Sequence, residues 1–318
     1  MIHIIKVARV QQKLKLRFAP SPNGFLHLGH AYSALLNAQI ADALGAEFII
    51  RMEDIDQLRC KATYIDACLE DLSRLGLEFD PEIMHQSQRQ AAYAAGLKKL
   101  MALGVLYPCL ATRGEIKKYY ATHKKVYDPD GALIYPQLYK NLTAQERLDI
   151  MAGEAAYALR LDMQKARQLV AHKMCFLQVD LAEGQMVRQK FNPAIWGDVI
   201  IARKDIGTSY HLSVVVDDAA QGITHIVRGM DLYKATYIHR LLQNLLGLPE
   251  PIYHHHQLVE DEAFNKLAKS RSSATLRDYW AEHADDDLNG FGAQQGLLAA
   301  PVRANLAIKI AAIISRST

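Results

Sequence analysis

The segment RFAPSPNGFLHLGH, residues 17–30, constrains the fold of this chain more than any other. Residues 15–18 predict a short strand, the Pro- and Gly-containing run at 20–24 predicts a turn, and residues 31–44 predict a helix that Gly45 ends. The free amide groups and the dipole of such a helix start attract anions. A strand, a loop and a helix in this order therefore indicate a phosphate site and point to nucleotide chemistry.

Two histidines and a glycine lie at the predicted helix start. His27 and His30 are three residues apart, so that both imidazoles can lie on one side of the helix N-terminus. Gly29 between them would let a flat base or a phosphate approach the backbone closely. An ordinary helix start with two solvated histidines is the alternative, because short motifs recur by chance. This segment alone leaves both interpretations open.

A second basic motif lies far downstream, in the sequence KLAKS. Lys266 and Lys269 flank Leu267 and Ala268, and Ser270 follows. Two lysines at this spacing on a loop can bracket a polyphosphate and neutralise the charge that develops when pyrophosphate leaves. A basic surface loop would have the same composition. Together with the N-terminal segment, the motif favours a polyphosphate site.

Three apolar runs alternate with helix-length segments, at residues 48–50, 214–216 and 223–227. This alternation predicts an α/β protein with a doubly wound parallel sheet and helices on both faces. Each run is followed by charged residues, which are Arg51, Glu53 and Asp54, then Asp217 and Asp218, then Arg228 and Asp231. Ligands of open α/β sheets bind outside the carboxyl ends of the strands. We therefore expect these side chains to converge on one crevice.

Sequence character predicts four parts. The first half of a nucleotide-binding catalytic domain spans 14–107, and its second half spans 193–248. The tyrosine-rich and charged stretch at 108–192 predicts an α/β insertion between the halves. Residues 249–318 would hold the KLAKS loop and a small helical C-terminal segment. The formal net charge of +3 is only mildly basic, so any RNA contact needs a local patch.

Cysteine usage and hydropathy indicate a cytoplasmic protein. The four cysteines show no CxxC spacing, which suits thiols in a reducing compartment. The N-terminal sequence MIHIIKVARV is too short and too charged for a signal peptide. The apolar tail at 296–315 is interrupted by Pro301, Arg303 and Lys309 and predicts a packed amphipathic helix. We expect no membrane contact, and we expect a monomer.

Five motifs in order carry a family resemblance: RFAPSPNGFLHLGH, RMEDID, YHLSVVVDD, ITHIVRGMDL and KLAKS, over about residues 15–275. This order resembles the class I glutamyl-tRNA synthetases, and five ordered motifs are far more specific than one. Only 48 residues follow Ser270, too few for the helical anticodon-binding region of those enzymes. The truncation resembles short paralogues of the family that attach glutamate to the modified base queuosine in tRNA(Asp).

The resemblance implies roles for particular residues. It implies that catalysis depends on His27, His30, Lys266 and Lys269, and that ATP contacts His27, Gly29, His30 and Lys269. It implies that L-glutamate is bound by Arg17, Ala19, Ser21, Glu53, Tyr210 and Arg228. Glutamate has two carboxylates and one ammonium group, so a selective site needs guanidinium donors and one compensating carboxylate.

Simpler interpretations of these residues stay open at this point. Glu53 could form a surface ion pair with Arg51 or Arg59, and Arg228 could pair with Asp231. Ser21 could be only a turn residue, and Tyr210 only a half-buried aromatic of a strand. The whole chain could be a conventional glutamyl-tRNA synthetase or a catalytically silent tRNA-binding paralogue.

The implied reaction needs ATP and Mg²⁺. The glutamate carboxylate would attack the α-phosphorus of ATP, leaving glutamyl adenylate, and queuosine in tRNA(Asp) would accept the glutamyl group. Such nucleotidyl transfer depends mainly on positioning and charge stabilisation. Magnesium would bridge the phosphates, and we name no protein ligand for it, because Mg²⁺ often relies on substrate oxygens and water.

The predicted insertion departs from the family at a zinc site. Many relatives carry CxC, a tyrosine and a further cysteine as four ligands. Cys109 and Tyr135 match two of these positions here, but Ala111 and Tyr139 occupy the other two. Two ligands cannot form the closed tetrahedral site of structural zinc. The sequence therefore predicts no structural zinc and no other metal-ligating residue.

Two further basic groups have uncertain roles. An acceptor-stem-type insertion implies RNA contacts, for which the candidates are Arg160, Arg167, His172 and Lys173; a solvated helix face explains their charges equally well. The run at 254–256 is three histidines. Neighbours on a strand point to alternate faces, so a shared metal ion is disfavoured, whereas a nucleotide-side role for one of them stays possible.

Overall fold

The computed structural model of the protein describes residues 13–258, 275–282 and 300–317. Within these ranges the chain forms ten strands: β1 (Lys15–Phe18), β2 (Glu47–Met52), β3 (Met84–His85), β4 (Leu106–Cys109), β5 (Ala158–Leu161), β6 (Cys175–Asp180), β7 (Gln185–Lys190), β8 (Ile200–Ala202), β9 (His225–Gly229) and β10 (Ile252–His256). The same ranges contain ten α-helices: α1 (Leu28–Leu44), α2 (Ala62–Arg74), α3 (Gln90–Ala102), α4 (Arg113–Tyr119), α5 (Ala144–Ala152), α6 (Met163–Leu169), α7 (Tyr210–Ala220), α8 (Ala235–Leu246), α9 (Leu276–Glu282) and α10 (Ala300–Ser317).

Seven of these strands form one sheet in the order β3-β2-β1-β9-β10-β6-β7. Every neighbouring pair is parallel except β6 and β7, which form an antiparallel hairpin at one edge. The predicted α/β class with a doubly wound parallel sheet is confirmed. Strand β1 lies between β2 and β9, so the chain leaves β1 in one direction and returns on its other side. Such a reversal of strand order is where open α/β sheets bind ligands.

The segment from β1 to α1 forms as its sequence predicts. Strand β1 has the predicted bounds, and α1 ends at Leu44, where Gly45 adopts the left-handed conformation with φ of 60°. The amide of Gly45 donates to the carbonyls of Ala41 and Asp42, which satisfies two orphan acceptors of the helix end. Helix α1 starts at Leu28, three residues earlier than predicted, because His27 caps it. The loop at 19–27 is therefore held between a central strand and a capped helix.

The C-terminal helix α10 packs on the first helix of the sheet. Ile310, Ile313 and Ile314 of α10 are buried in the same apolar cluster as Leu36 and Ile40 of α1. Burying side chains of this size stabilises a fold by about 1.5–3 kcal/mol each. The predicted packed helix near the C-terminus is thus confirmed. None of the helices in the described ranges is long and apolar enough to cross a membrane.

The predicted strand at 214–216 is wrong, because these residues lie inside helix α7. Val214 and Val215 are only 1% exposed and belong to the apolar cluster between α7, α3 and α8. β-branched residues favour strands in isolation, but burial in a core overrides that preference. Tyr210 therefore begins a helix instead of lying in a strand, and Ser209 caps this helix by accepting from the amide of Leu212.

Helix α7 is fixed to the neighbouring helix α3 by a buried aspartate. The carboxylate of Asp217 accepts from Gln86 Nε2 at 2.9 Å, from Arg89 Nε at 2.5 Å and from the Tyr93 hydroxyl at 2.6 Å. Because three donors converge on one buried carboxylate, the rotation of α7 about its axis is set. The next residue, Asp218, is thereby directed toward β1 and β2.

Strands β4, β5 and β8 form a second, antiparallel sheet. Residues 175–190 lie inside the predicted insertion, yet β6 of this stretch pairs in parallel with β10 of the large sheet. Strand β8 lies after the predicted end of the insertion, yet it pairs with β5. The boundaries at 108 and 192 stay a prediction. Strand pairing crosses the second boundary twice, because β6 before it joins the large sheet and β8 after it joins the small sheet.

Candidate active site

A cavity of about 480 Å³ opens beside the ends of β1 and β9. Nine of the eleven candidate residues line it: Arg17, Ala19, Ser21, His27, Gly29, His30, Glu53, Tyr210 and Arg228. The other two, Lys266 and Lys269, lie outside the described residues. The convergence predicted from the strand ends is therefore observed for Glu53, Arg228 and Asp231, whereas Asp54 is used elsewhere, by His85 and Ser87.

His27 and His30 cap helix α1 reciprocally. His27 is the N-cap residue, and its Nδ1 accepts from the amide of Gly29 at 3.2 Å. His30 is the third residue of the helix, and its Nδ1 accepts from the amide of His27 at 3.2 Å. Because both Nδ1 atoms accept, each neutral ring carries its proton on Nε2, and an imidazole N–H of this kind can donate to phosphate oxygens. The cap thus fixes the tautomer of both rings.

Gly29 is required by the histidine ring next to it. A β-carbon at position 29 would lie 3.1 Å from Cε1 and 3.2 Å from Nδ1 of His27. The two imidazole rings themselves are in contact, with centroids 3.7 Å apart and ring planes tilted by 36°. The sequence interpretation assigned Gly29 to close approach of a ligand, and the structure adds a second reason, since any side chain here would displace the His27 ring.

Arg17 is held by an aspartate that sequence reasoning placed at a strand end. Arg17 Nε donates to Asp218 Oδ1 at 3.0 Å, and Arg51 donates from one terminal nitrogen to the same oxygen at 2.7 Å. All three side chains are buried. Burial opposes the charge of Asp218, but the two arginines outweigh it and lower the pKa of the carboxyl. Asp218 is therefore the shared anion of two buried guanidinium groups.

Glu53 completes this cluster from the end of β2. Its carboxylate accepts from the second terminal nitrogen of Arg51 at 3.2 Å. Burial raises the pKa of Glu53, and the charges of Arg51 and Arg17 oppose that rise. The ion pair of Glu53 with Arg51 that the sequence left open is thus present, but it is buried and lines the cavity, so it does not compete with a role toward a ligand.

Arg228 lies at the end of β9 and has a different environment. Its guanidinium donates to His255 Nε2 at 3.3 Å, to His239 Nδ1 at 3.1 Å, to the Thr236 hydroxyl at 2.8 Å and to the Leu232 carbonyl at 3.3 Å. None of these acceptors within the described residues is a carboxylate. The pairing with Asp231 that the sequence left open is not the one that holds Arg228.

Tyr210 stands between the two arginine environments. Burial raises the pKa of its phenol to about 12, with the charge of Arg228 acting in the opposite direction and that of Glu53 in the same one. The hydroxyl therefore stays protonated near neutral pH and can donate. Ser21 lies in a turn, where its carbonyl accepts from the amide of Asn23 at 2.9 Å, and it lines the cavity as well.

A second cavity of about 510 Å³ adjoins the first. Ser21, Asn23, Glu53 and Tyr210 line both. The remaining wall of the second cavity comes largely from the region of the small sheet. The site therefore has two compartments, which meet at Glu53 and Tyr210.

The position of the family's zinc site is filled by a packed cluster. Cys109, Tyr107 and Tyr135 are buried together, with Ala111 and Tyr139 packed against them. The Tyr135 hydroxyl accepts from the amide of Tyr139 at 2.8 Å. Burial and a hydrogen bond with Cys109 raise the pKa of the Tyr135 phenol. Groups of three or more His, Cys, Asp or Glu arranged for a metal do not occur among the described residues.

The remaining basic candidates are separated by the structure. Arg160 lies in β5, is 7% exposed and places its guanidinium 3.8 Å from the Tyr135 ring centroid, so neither an exposed RNA contact nor a solvated helix face describes it. His172 and Lys173 are exposed, and Arg167 is half-buried. Of the three histidines of β10, His256 lines the first cavity, and His255 holds Arg228.

Sequence reasoning named Arg51, Asp218 and His255 but not the contacts by which they hold the site's charges, and it missed His239. The serine before YHLSVVVDD was an available signal, because a serine at this position is a good helix N-cap and would have moved both aspartates from a strand end to a helix. Contacts of His239 and His255 with Arg228 join different elements, and no local pattern predicts them.

A doubly wound sheet with a ligand cavity at its switch point, entered by the start of the first helix, is the architecture of class I aminoacyl-tRNA synthetases. Residues 13–291 match the family described as tRNA synthetases class I (E and Q), catalytic domain. The chain belongs to this family.

Individual relatives agree with this assignment. A Rhodobacter capsulatus protein named glutamyl-Q tRNA(Asp) synthetase is 41% identical over 272 residues, which cover 84% of this chain and 95% of that protein. A Geobacter sulfurreducens protein of the same name is 36% identical over 82% of this chain and 76% of that protein. The crystal structure of glutamate-tRNA synthetase from Elizabethkingia anophelis has a TM-score of 0.65 at 24% identity and covers 81% of this chain. This chain spans about half of that solved chain, 53%, so that likeness concerns the fold alone.

The cluster around Cys109 generates a prediction about metal content. We expect purified protein to contain far less than one zinc per chain, because Ala111 and Tyr139 offer no thiolate where the family has cysteines. Elemental analysis before and after dialysis against a chelator measures this, with the unfolding temperature as a second readout. One zinc per chain that survives chelation, or a lower unfolding temperature after chelation, would contradict the prediction.

Proposed function

We propose that this chain activates L-glutamate with ATP to give glutamyl adenylate and then transfers the glutamyl group to queuosine in tRNA(Asp). The observation that carries the proposal is the convergence of two arginines, a glutamate and the two helix-cap histidines on one cavity. The relatives named glutamyl-Q tRNA(Asp) synthetase support the choice of acceptor, since the first of them aligns with nearly its whole length.

Activation forms one bond and breaks another at the α-phosphorus. A carboxylate oxygen of glutamate attacks the α-phosphorus of ATP, and the bond from that phosphorus to the bridging oxygen of the β-phosphate breaks. Pyrophosphate leaves with the electron pair, and glutamyl adenylate remains. The Nε2 protons of His27 and His30 donate to phosphate oxygens, and Lys266 and Lys269 neutralise the departing pyrophosphate. No covalent enzyme intermediate is needed.

Glutamate lies between the two arginines. Arg228 donates to one substrate carboxylate with an N–H that its bonds to His255, His239, Thr236 and Leu232 leave over, since a guanidinium group has five N–H donors. Arg17 and the protonated hydroxyl of Tyr210 contact the rest of the amino acid, together with the turn at Ala19 and Ser21. Glu53 supplies the compensating carboxylate for the substrate ammonium group. ATP binds at the start of α1, where it contacts Gly29 and the two histidines.

Magnesium reaches this site with the nucleotide. The ATP phosphates would offer the hard oxygen ligands that Mg²⁺ prefers, and no residue of the protein is assigned as a further ligand. Its chemical contribution is to neutralise phosphate charge during the transfer. The protein residues described above bind and orient the substrates around it.

Transfer uses the second cavity. A hydroxyl of the modified base attacks the carbonyl carbon of the adenylate and forms an ester bond, AMP leaves with the electron pair of the anhydride bond, and the hydroxyl proton is released to water. The two cavities share Glu53 and Tyr210, so an acceptor in the second reaches an adenylate in the first. We place the reaction in the cytoplasm, where ATP and tRNA are available, and the four cysteines form no disulfide.

A basic segment of the small-sheet region is the proposed contact for the tRNA. Residues 113–125 run along helix α4 and the turn after it, and Lys117, Lys118, Lys124 and Lys125 are all exposed. The described residues place no carboxylate within ion-pair distance of these lysines, so their charge is available to phosphates. This segment replaces the buried Arg160 as the RNA-binding candidate.

The proposal as a whole is tested by mass spectrometry of tRNA. Purified tRNA(Asp) with queuosine is incubated with the protein, ATP and glutamate, digested to nucleosides and measured. We expect the mass of queuosine to rise by one glutamyl group, and tRNA lacking queuosine is the control. Glutamate on the 3′ end would indicate a conventional glutamyl-tRNA synthetase. Absence of glutamate-dependent pyrophosphate exchange would indicate a silent tRNA-binding protein.

Amino-acid selectivity follows from the proposed arginine contacts. Glutamine lacks the anionic side chain, so its binding leaves a buried guanidinium group unpaired, and we expect its exchange rate to be lower by about 100-fold or more. Aspartate keeps the charge but is one methylene shorter, and we expect a loss of roughly 10- to 200-fold. Pyrophosphate exchange with the three amino acids, without tRNA, measures both. Equal rates for glutamate and glutamine would refute the role of the arginines.

The KLAKS lysines are tested in the same assay. Lys269→Ala should lose on the order of 2 to 4 kcal/mol of transition-state stabilisation, which is the scale for deleting one preorganised charge donor. Lys309→Ala is the matched control, because Lys309 is an exposed lysine of helix α10 and no part of the KLAKS sequence. Exchange in Lys269→Ala at the rate of Lys309→Ala would remove Lys269 from the mechanism.

The basic segment makes a prediction that separates the two half-reactions. A Lys117→Ala/Lys118→Ala variant should raise the KM for tRNA and lower the salt dependence of transfer by about one unit of slope for each lost phosphate contact. Glutamate activation without tRNA should stay unchanged. Lys98→Ala/Lys99→Ala removes two exposed lysines from α3 and is the control. If both double variants bind tRNA alike, the segment is not the contact.

A further inference from the structure

Arg228 is a buried cation whose partners are imidazoles. It is 5% exposed, and two of its hydrogen bonds go to ring nitrogens, Nδ1 of His239 and Nε2 of His255. These histidines are 2% and 4% exposed. His239 belongs to α8 and His255 to β10, where it lies opposite Arg228 in the strand register. The two rings therefore approach the guanidinium group from different elements.

The hydrogen bonds from Arg228 determine the tautomers of His239 and His255. A guanidinium group can only donate, so the nitrogen that faces it must be an unprotonated acceptor. His239 then carries its proton on Nε2, which lies 3.2 Å from His211 Nδ1 and donates to it. His255 carries its proton on Nδ1, which lies 2.9 Å from the Gln178 side-chain oxygen and donates there. Every link of this chain of hydrogen bonds is satisfied with neutral imidazoles.

Arg17 and Arg228 consequently differ in whether a carboxylate compensates their charge. Arg17 donates to the carboxylate of Asp218, whose negative charge compensates the positive charge of Arg17. Arg228 is oriented by four hydrogen bonds to neutral groups, which do not cancel its charge. An uncompensated buried cation is costly to a fold, and one that faces a cavity is a strong attractor for an anion.

We propose that His239 and His255 are positioning residues that hold Arg228 in a fixed orientation with its charge uncancelled, and that this makes the site selective for an anionic substrate side chain. The inference rests on the proposed function, because it explains how the glutamate site distinguishes a carboxylate from a carboxamide. The histidines do not contact the substrate, and they act through Arg228.

The protonation states agree with this arrangement. Burial lowers the pKa of His239 and His255 well below the usual value for histidine, and the neighbouring charge of Arg228 lowers it further. Burial likewise lowers the pKa of His211 to about 4. All three rings are therefore neutral at physiological pH, as their roles as acceptors require.

A charge-only substitution pair tests the proposal. In His239→Asn and His239→Asp, a side-chain oxygen replaces the Nδ1 acceptor at nearly the same distance from the backbone. Both variants lose the hydrogen bond to His211 equally, so that loss cancels in the comparison. The two differ in one property, because the aspartate would neutralise Arg228 and the asparagine would not.

We expect the Asp variant to have a KM for glutamate roughly 10-fold or more above that of the Asn variant, which is the scale of close buried charge pairs. The KM for ATP should be the same in both, and the preference for glutamate over glutamine should fall only in the Asp variant. A merely structural role predicts equal effects of both substitutions and parallel losses for ATP. Equal KM values for glutamate in the two variants would overturn the proposal.

A second pair of variants, at position 255, keeps the proposal testable if the variants at position 239 do not fold. At position 255 the acceptor is Nε2, which the longer side chains of His255→Gln and His255→Glu replace, and the same charge-dependent difference is expected. Circular dichroism and ATP binding show which variants are folded. If neither neutral variant, His239→Asn or His255→Gln, is folded and active, the proposal is also overturned, because a neutral acceptor would then not suffice.

Failure of the inference is distinguishable from failure of the proposed function. Wild-type protein without glutamate-dependent exchange would refute the proposed function. Calorimetric titration with glutamate and glutamine, in the absence of ATP, still measures the charge preference of Arg228 in that case. Wild-type exchange combined with indistinguishable Asp and Asn variants would refute the histidine role alone.

Discussion

The buried carboxylate of Asp218 is the interaction on which the rest of the site depends. It binds Arg17 of β1 and Arg51 of β2, and Arg51 in turn binds Glu53. Buried ion pairs tolerate little change, since removing one partner of such a pair costs about 3–5 kcal/mol. Two neighbouring strands and helix α7 are therefore joined by one small set of charges. Arg17 and Glu53 of this set line the cavity.

The cluster also explains why helix α7 has two consecutive aspartates. Successive residues of a helix point about 100° apart, so Asp217 and Asp218 reach different neighbours. Asp217 binds Tyr93 of α3 and also Gln86 and Arg89 just before that helix, whereas Asp218 binds the strands. The same helix begins with Tyr210, which lines the cavity together with Arg17 and Arg228. Helix α7 therefore fixes the binding-site residues relative to α3.

The sequence predicted the features that depend on local rules. The bounds of β1 and the end of α1 at Gly45 follow from turn chemistry and capping, and the convergence of Glu53, Arg228 and Asp231 follows from strand-end placement, whereas the other site residues came from the family resemblance. It failed at 214–216, because three adjacent valines favour a strand locally and only tertiary burial makes them helical. It also misplaced Arg160 of β5, whose burial against Tyr135 depends on a contact with the segment between α4 and α5. Contacts between distant elements have no local signature.

The spacing of HLGH is a consequence of helix capping before it is a consequence of catalysis. A capping box joins the N-cap residue to the third helical residue, which is the separation of His27 and His30. Gly29 lies between them because the ring of His27 occupies the space of its β-carbon. The same hydrogen bonds leave the ring protons on Nε2, so folding of the helix start prepares both donors for an anion. A residue that served only the cap, such as serine, would preserve the helix and lose the donors, and a histidine placed one residue away would keep the ring and lose its orientation.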